Sequence, residues 1–321
     1  GGPLIKFFSE KMITGPIRQD GPIDHIIKKS GTPTMGGVII IIGIISSTIL
    51  WADLKNIYVW TLIFVSLSLG ALGLLDDILK IKLKNSSGLK SRYKFLGQII
   101  IGIITLLILI KYSEHEFLYN LYFPFFKNLI WHMGLFFIPF GLFVIIGASN
   151  AVNLTDGLDG LATVPVMLVA LSFTLISYVV GNTIFSEYLQ IQYIPDVGEL
   201  SIFCGSIVGA CLGFLWYNAP PAKIFMGDTG SLSLGGSLAA IAIIVKHEIV
   251  LAIVGGLFVL ETVSVIIQVA SYKLTGKRIF KMAPIHHHFE KKGWAESTIV
   301  IRFWIIAIIL ALVGLATLKL R

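Results

Sequence analysis

The chain has 321 residues, 55% hydrophobic and 13% charged, with a mean hydropathy of +0.87 and a formal net charge of +7. A water-soluble domain carries about 25% charged residues, so an ordinary soluble protein is excluded. The two cysteines, Cys204 and Cys211, lie inside one apolar run and read as packing residues rather than a disulfide framework.

Taken in chain order, residues 1–34 are mixed and basic and lack the apolar core of a signal peptide. Nine apolar runs of membrane-spanning character follow, at 35–52, 57–75, 95–110, 129–149, 161–181, 200–217, 231–245, 249–272 and 299–318. Backbone groups in lipid must be satisfied within their own segment, so these runs are expected to be helices. The expected fold is an all-α integral membrane protein, a polytopic helical bundle forming one domain over 1–321.

Alternation of the connecting segments puts 1–34, 76–94, 150–160, 218–230 and 273–298 on one side, with 18 of the 25 Lys and Arg residues. The positive-inside rule assigns that side to the cytoplasm and the C-terminus to the outside. "GLLDDILK", "NLTDGLDGLA", "FMGDTGSL" and "APIHHHFE" all fall on it, and are expected to build one site.

Asp76 and Asp77 sit at the end of an apolar run, where carboxylates are costly and usually functional. On a helix Asp76 shares a face with Lys80 while Asp77 turns about 100° away. One carboxylate can then be held by a cation while the other meets a substrate or metal. Asn153, Asp156 and Asp159 recur every third residue, so a helical turn would gather them. Alternatively, Asp156 or Asp159 caps the helix that starts near Leu161. Asp228 precedes a helix and is either its N-cap or a Mg²⁺ ligand of the kind that works with substrate phosphates.

The triple histidine is a poor zinc site. In an extended segment only His286 and His288 share a side, and no cysteine stands nearby. Flanked by Lys281, Lys291 and Lys292, the imidazoles suit anionic oxygens or proton movement near neutral pH. Two basic clusters, Lys80 to Lys94 and Lys273 to Lys281, suit acidic membrane lipid headgroups. No nucleic-acid-binding module is present, so nucleic acid is not an expected partner.

"GTPTMGG" at 31–37, "LLDD" at 74–77, "NAVNLTDGLDGLA" at 150–162, "FMGDTGSL" at 225–232, "ETVSVIIQV" at 261–269 and "MAPIHHHFE" at 282–290 resemble the bacterial phospho-N-acetylmuramoyl-pentapeptide transferase family, within the polyprenyl-phosphate N-acetylhexosamine-1-phosphate transferases. The resemblance implies a Mg²⁺-dependent enzyme of the bacterial inner membrane. It would transfer phospho-MurNAc-pentapeptide from UDP-MurNAc-pentapeptide to undecaprenyl phosphate, giving lipid I and UMP. It also implies a homodimer of ten-helix chains, of which this sequence is expected to hold nine, beginning about where the first helix would end. By resemblance Asp228 is the Mg²⁺ ligand, Asp76 and Asp77 are an essential acid pair, and His287 is the essential histidine, with His286 and His288 holding substrate. Phe225 matches the aromatic that stacks on uracil. Lys29, Thr34, Asn153, Asp156, Gly157, Leu158, Asp159, Asn218 and Gln268 match positions near the nucleotide sugar.

Two alternatives stand beside this reading. A related transferase acting on UDP-GlcNAc would share the acidic motifs. A transporter would show midplane acids and an internal repeat, whereas here the acids crowd one face and no repeat is found.

Overall fold

The computed structural model describes residues 1–10, 31–83, 88–113 and 116–319. In chain order the helices are α1 (Gly2–Glu10), α2 (Gly37–Trp51), α3 (Ile57–Leu83), α4 (Ser91–Tyr112), α5 (Phe137–Thr155), α6 (Thr163–Val180), α7 (Thr183–Leu189) and α8 (Leu200–Asn218). They continue with α9 (Gly227–Ile244), α10 (Glu248–Val254), α11 (Gly256–Thr275), α12 (Ile285–Glu290) and α13 (Glu296–Ala316). Among the described residues eight helices are long and apolar enough to span a bilayer, and α2 adds a shorter apolar helix of 15 residues. This is a multi-pass membrane protein, and each expected run overlaps one of these nine helices.

α9 is the axis of the bundle. Its sequence GDTGSLSLGGSLAAIAII is rich in Gly, Ser and Ala, and almost every residue is buried. Small side chains let helices in lipid approach closely, because dispersion contacts and hydrogen bonds replace the hydrophobic drive. α3 and α5 pack along its two flanks. At the α3 crossing Gly73 is required, since a Cβ there would overlap the Asp228 carbonyl of α9. Ser66 and Ser233 hydrogen bond across the same interface at 2.9 Å.

Four expectations need correction. α3 runs two turns past residue 75, so Asp76 and Asp77 lie within the helix rather than after it. The run 129–149 begins as strand β2 (Phe126–His132), paired antiparallel with β1 (Asn120–Phe123) in the register Leu121↔Trp131. An apolar run alone does not distinguish strand from helix. The run 249–272 is broken at Gly255 into α10 and α11, with the Gly255 amide closing the first piece onto the Leu251 carbonyl. Finally, α5 ends at Thr155, so Asn153, Asp156 and Asp159 do not share a helical turn.

Candidate active site

The centre of the site lies where the end of α3, the first turn of α4, the end of α5 and the start of α9 meet. Asp76, Asp77 and Asp228 are all buried, and each offers an oxygen within 4.8 Å of the others. Lys80, one turn after Asp76, reaches Asp76 at 2.5 Å, Asp228 at 3.1 Å and Asp77 at 4.0 Å. Lys94 of α4 pairs with Asp228 and lies 3.9 Å from Asp76. With all five groups ionised, three carboxylates face two ammonium groups, and one negative charge remains. Three hard oxygen donors with a residual negative charge fit a divalent cation, so the residues present can hold a metal.

The carboxylates differ in what already holds them. Asp77 accepts from the backbone N–H groups of Asp228 (3.2 Å) and Thr229 (3.0 Å) and from the Thr229 hydroxyl (2.7 Å). The first N–H groups of a helix have no partner within it, and its N-terminus favours negative charge. Asp77 therefore caps α9 from a neighbouring helix. Asp228, which one reading took for the N-cap, sits inside the first turn instead. Asp76 accepts from the Leu89 N–H at 2.8 Å, which closes the segment before α4 over the site. Asn153 donates to Asp228 at 3.0 Å and to Ser231 at 2.8 Å. Thr34 stands close to Gly227, beside Asp77. Lys29 lies outside the described residues.

The other expected residues form a frame around this centre. Asn218 accepts from the Gly160 N–H (3.1 Å) and the Thr163 hydroxyl (3.0 Å) and donates to the Ile224 carbonyl (3.0 Å). It ties the turn after α5 to the segment carrying Phe225, whose carbonyl accepts from the Gly36 N–H. Asp159 accepts from the Ala222 N–H at 2.9 Å. α6 begins at Thr163 without a side-chain cap, so neither Asp156 nor Asp159 caps it. Leu158 is buried with Leu161, Leu257, Ile299 and Phe303, so its side chain serves packing. Gln268 donates to the Phe280 carbonyl and accepts from the Ile279 and Phe280 N–H groups, holding the segment that leads to the histidines.

The three imidazoles have three environments. His286 is fully buried, with Nδ1 3.1 Å from Glu261 Oε2, and a Cβ at Gly157 would overlap its Nε2. This glycine lets the turn after α5 close on the ring, and direct contact of His286 with a substrate would need that turn to open. His287 Nδ1 lies 2.5 Å from Glu290 Oε2, one helical turn away. An ionised carboxylate only accepts, so Nδ1 carries a proton and the ring is oriented. His288 Nδ1 accepts from the Lys281 N–H at 3.0 Å, so its neutral ring carries the proton on Nε2. Desolvation and the nearby Lys292 and Lys281 charges hold His288 below the ordinary histidine range. When neutral, His287 and His288 are therefore opposite tautomers.

Sequence reasoning missed Lys94, Glu261, Glu290 and Glu296, whose carboxylate accepts from the Asp159 N–H at 2.9 Å. Glu261 carried the plainest signal, a carboxylate inside an apolar run. Lys94 had none, because it stood among basic residues assigned to headgroups.

Residues 59–246 match the model of glycosyl transferase family 4, and residues 29–41 match the phospho-N-acetylmuramoyl-pentapeptide-transferase signature 1. The chain is 68% identical over 321 residues to the phospho-N-acetylmuramoyl-pentapeptide-transferase of Pelagibacter ubique (strain HTCC1062), covering 100% of this chain and 89% of that relative. It is 56% identical over 327 aligned residues to the protein of the same name from Maricaulis maris (strain MCS10), again covering 100% and 89%. Similarity of this extent, running through the segments that build the acidic centre and its frame, shows that the chain belongs to the phospho-N-acetylmuramoyl-pentapeptide-transferase family.

Proposed function

We propose that this protein transfers phospho-MurNAc-pentapeptide from UDP-MurNAc-pentapeptide to undecaprenyl phosphate. The observation that carries the reading is the buried acidic centre of Asp76, Asp77 and Asp228 with its two lysines, in a chain of this family. An oxygen of undecaprenyl phosphate attacks the phosphorus that bears the sugar. The bond from that phosphorus to UMP breaks, and its electron pair leaves on the UMP oxygen.

Asp228, with Asp76, would hold Mg²⁺, which supplies positive charge to the diphosphate when bound. Lys80 and Lys94 bring further positive charge to the same place, and such pre-set charge is the main protein contribution to phosphoryl transfer. Asp76, gripped by Lys80, positions the attacking phosphate and takes any proton left on it. Asp77 keeps α9 and therefore Asp228 in place. Phe225 offers a ring to the uracil, Thr34 and Asn153 line the approach, and the backbone of Asp156 to Asp159 lies along the nucleotide sugar. His287 and His288 meet anionic oxygens, while His286, Asn218 and Gln268 hold the frame.

The same reading sets the protein in the bacterial inner membrane as a homodimer with its site facing the cytoplasm. The basic bias of the segments on the site side supports that orientation.

Labelled UDP-MurNAc-pentapeptide with undecaprenyl phosphate and Mg²⁺ is expected to give a lipid-extractable product and UMP. A product from UDP-GlcNAc alone would move the assignment to the related transferase, and no product from either sugar would remove the reading. Exchange of label between UMP and the nucleotide sugar, with all lipid acceptor absent, would contradict direct attack and favour a covalent aspartyl intermediate.

A further inference from the structure

One turn beyond Lys94, on the same face of α4, stands Gln98, 1% exposed and inside a membrane-spanning helix. Its Oε1 accepts from Asn150 Nδ2 at 3.0 Å, and its Nε2 donates to the Ser149 hydroxyl at 3.3 Å. Ser149 in turn donates to the Leu232 carbonyl of α9 at 3.1 Å. Asn150 also bonds the Ile146 carbonyl at 2.8 Å, which fixes its amide.

These contacts repeat the active-site pattern one turn deeper in the bundle. In the site tier, Lys94 of α4 and Asn153 of α5 both meet Asp228 of α9. In the deeper tier, Gln98 of α4 meets Ser149 and Asn150 of α5, and Ser149 meets Leu232 of α9. The same three helices take part, displaced by four residues in α4, four in α9, and three or four in α5. A buried amide in lipid has no water to fall back on, so turning α4 about its axis would strand both ends of the Gln98 amide. That rotation is also what decides whether Lys94 reaches Asp228.

We infer that Gln98 is a positioning residue for the transfer reaction, acting through Lys94. It locks the rotation of α4 so that the Lys94 ammonium stays on Asp228 and near Asp76. The inference rests on the transferase reading for its kinetic consequence, but the coupling of Gln98 to Lys94 can be read without turnover.

The test uses the full chain in detergent with Gln98→Leu, which keeps much of the volume and removes both hydrogen bonds. The expected kinetic result is a drop in kcat of about tenfold, the scale of one or two neutral hydrogen bonds, with KM little changed. In a Lys94→Met background, adding Gln98→Leu should lower kcat no further. In metal-free protein, Lys94 should acylate several-fold faster with an amine-reactive reagent, read by mass spectrometry of its peptide. Should Gln98→Leu fail to fold, Ser149→Ala removes one partner of the same amide and should raise Lys94 labelling in the same direction. Unchanged Lys94 labelling in the folded variant would overturn the inference, as would equal kcat losses with and without Lys94. Failure of the transferase reading would instead appear as no product from the unaltered protein while the labelling difference persists.

Discussion

Two buried charge clusters sit at opposite ends of α9, and they are built on different principles. At the start of the helix three carboxylates share two lysines, with a residual negative charge and contacts from α3, α4 and α5. Past its end, Lys246 pairs with Glu248 at 2.5 Å, each about 1% exposed, with the ammonium 5.1 Å from the centre of the Phe137 ring. That pair is one acid against one base, beside a cavity whose lining includes Tyr122, Gln190, Gln192 and His247. Burial holds Glu248 above the ordinary carboxylate range although Lys246 pulls the other way. The balanced pair carries no residual charge, although Glu248 Oε2 is buried without a hydrogen-bond partner among the described residues. The unbalanced cluster keeps one negative charge that a divalent cation can offset. Burial of charge by itself therefore does not distinguish the two clusters; the residual charge does.

The comparison breaks first if Asp228→Asn leaves turnover intact. We expect a loss of about 10³-fold, the scale of removing one preorganised electrostatic group, with the thermal melt close to that of the parent. Next, Lys246→Met should cost about 3–5 kcal/mol of stability by leaving Glu248 buried without its partner, while activity per folded molecule is retained. Pairing it with Glu248→Leu should restore most of that loss in a denaturation series. If the single variant lost activity but not stability, the cluster past the end of α9 would not be the balanced pair described.

The smallest effect concerns His247, which lines the 270 Å³ cavity beside that pair and whose Nδ1 lies 2.6 Å from the Val245 carbonyl. Burial, assisted by the Lys246 charge, holds its pKa below the ordinary histidine range. The folded state thus favours the neutral ring. The stability it contributes is present above the unfolded pKa and is lost as pH falls through the lowered folded value. His247→Gln should flatten this acid-side fall in melting temperature, and an unchanged pH profile would remove His247 from the account.

Much of the site was legible because its motifs carry chemistry that lipid makes expensive. Asp76 and Asp77 stood out as carboxylates at the end of an apolar run and Asp228 as one just before a helix, and the structure brings the three together. Asn153 was expected to share a helical turn with Asp156 and Asp159; it instead reaches Asp228 across helices. The one-turn spacing of Asp76 and Lys80 was readable because a helix fixes it locally. Lys94 was not, because its partner lies 134 residues away.

By itself, then, the sequence determined which segments cross the bilayer and at which of their ends the acids and histidines cluster. Lipid solvation acts on each segment separately, so hydropathy along the chain is enough to show it. The tertiary structure alone decided that Asp77 caps α9, that His286 is buried against Glu261, that Gly255 breaks a span, and that Lys94 joins the site. Those outcomes depend on how each helix is rotated against its neighbours, and rotation is set by packing between segments far apart in the chain.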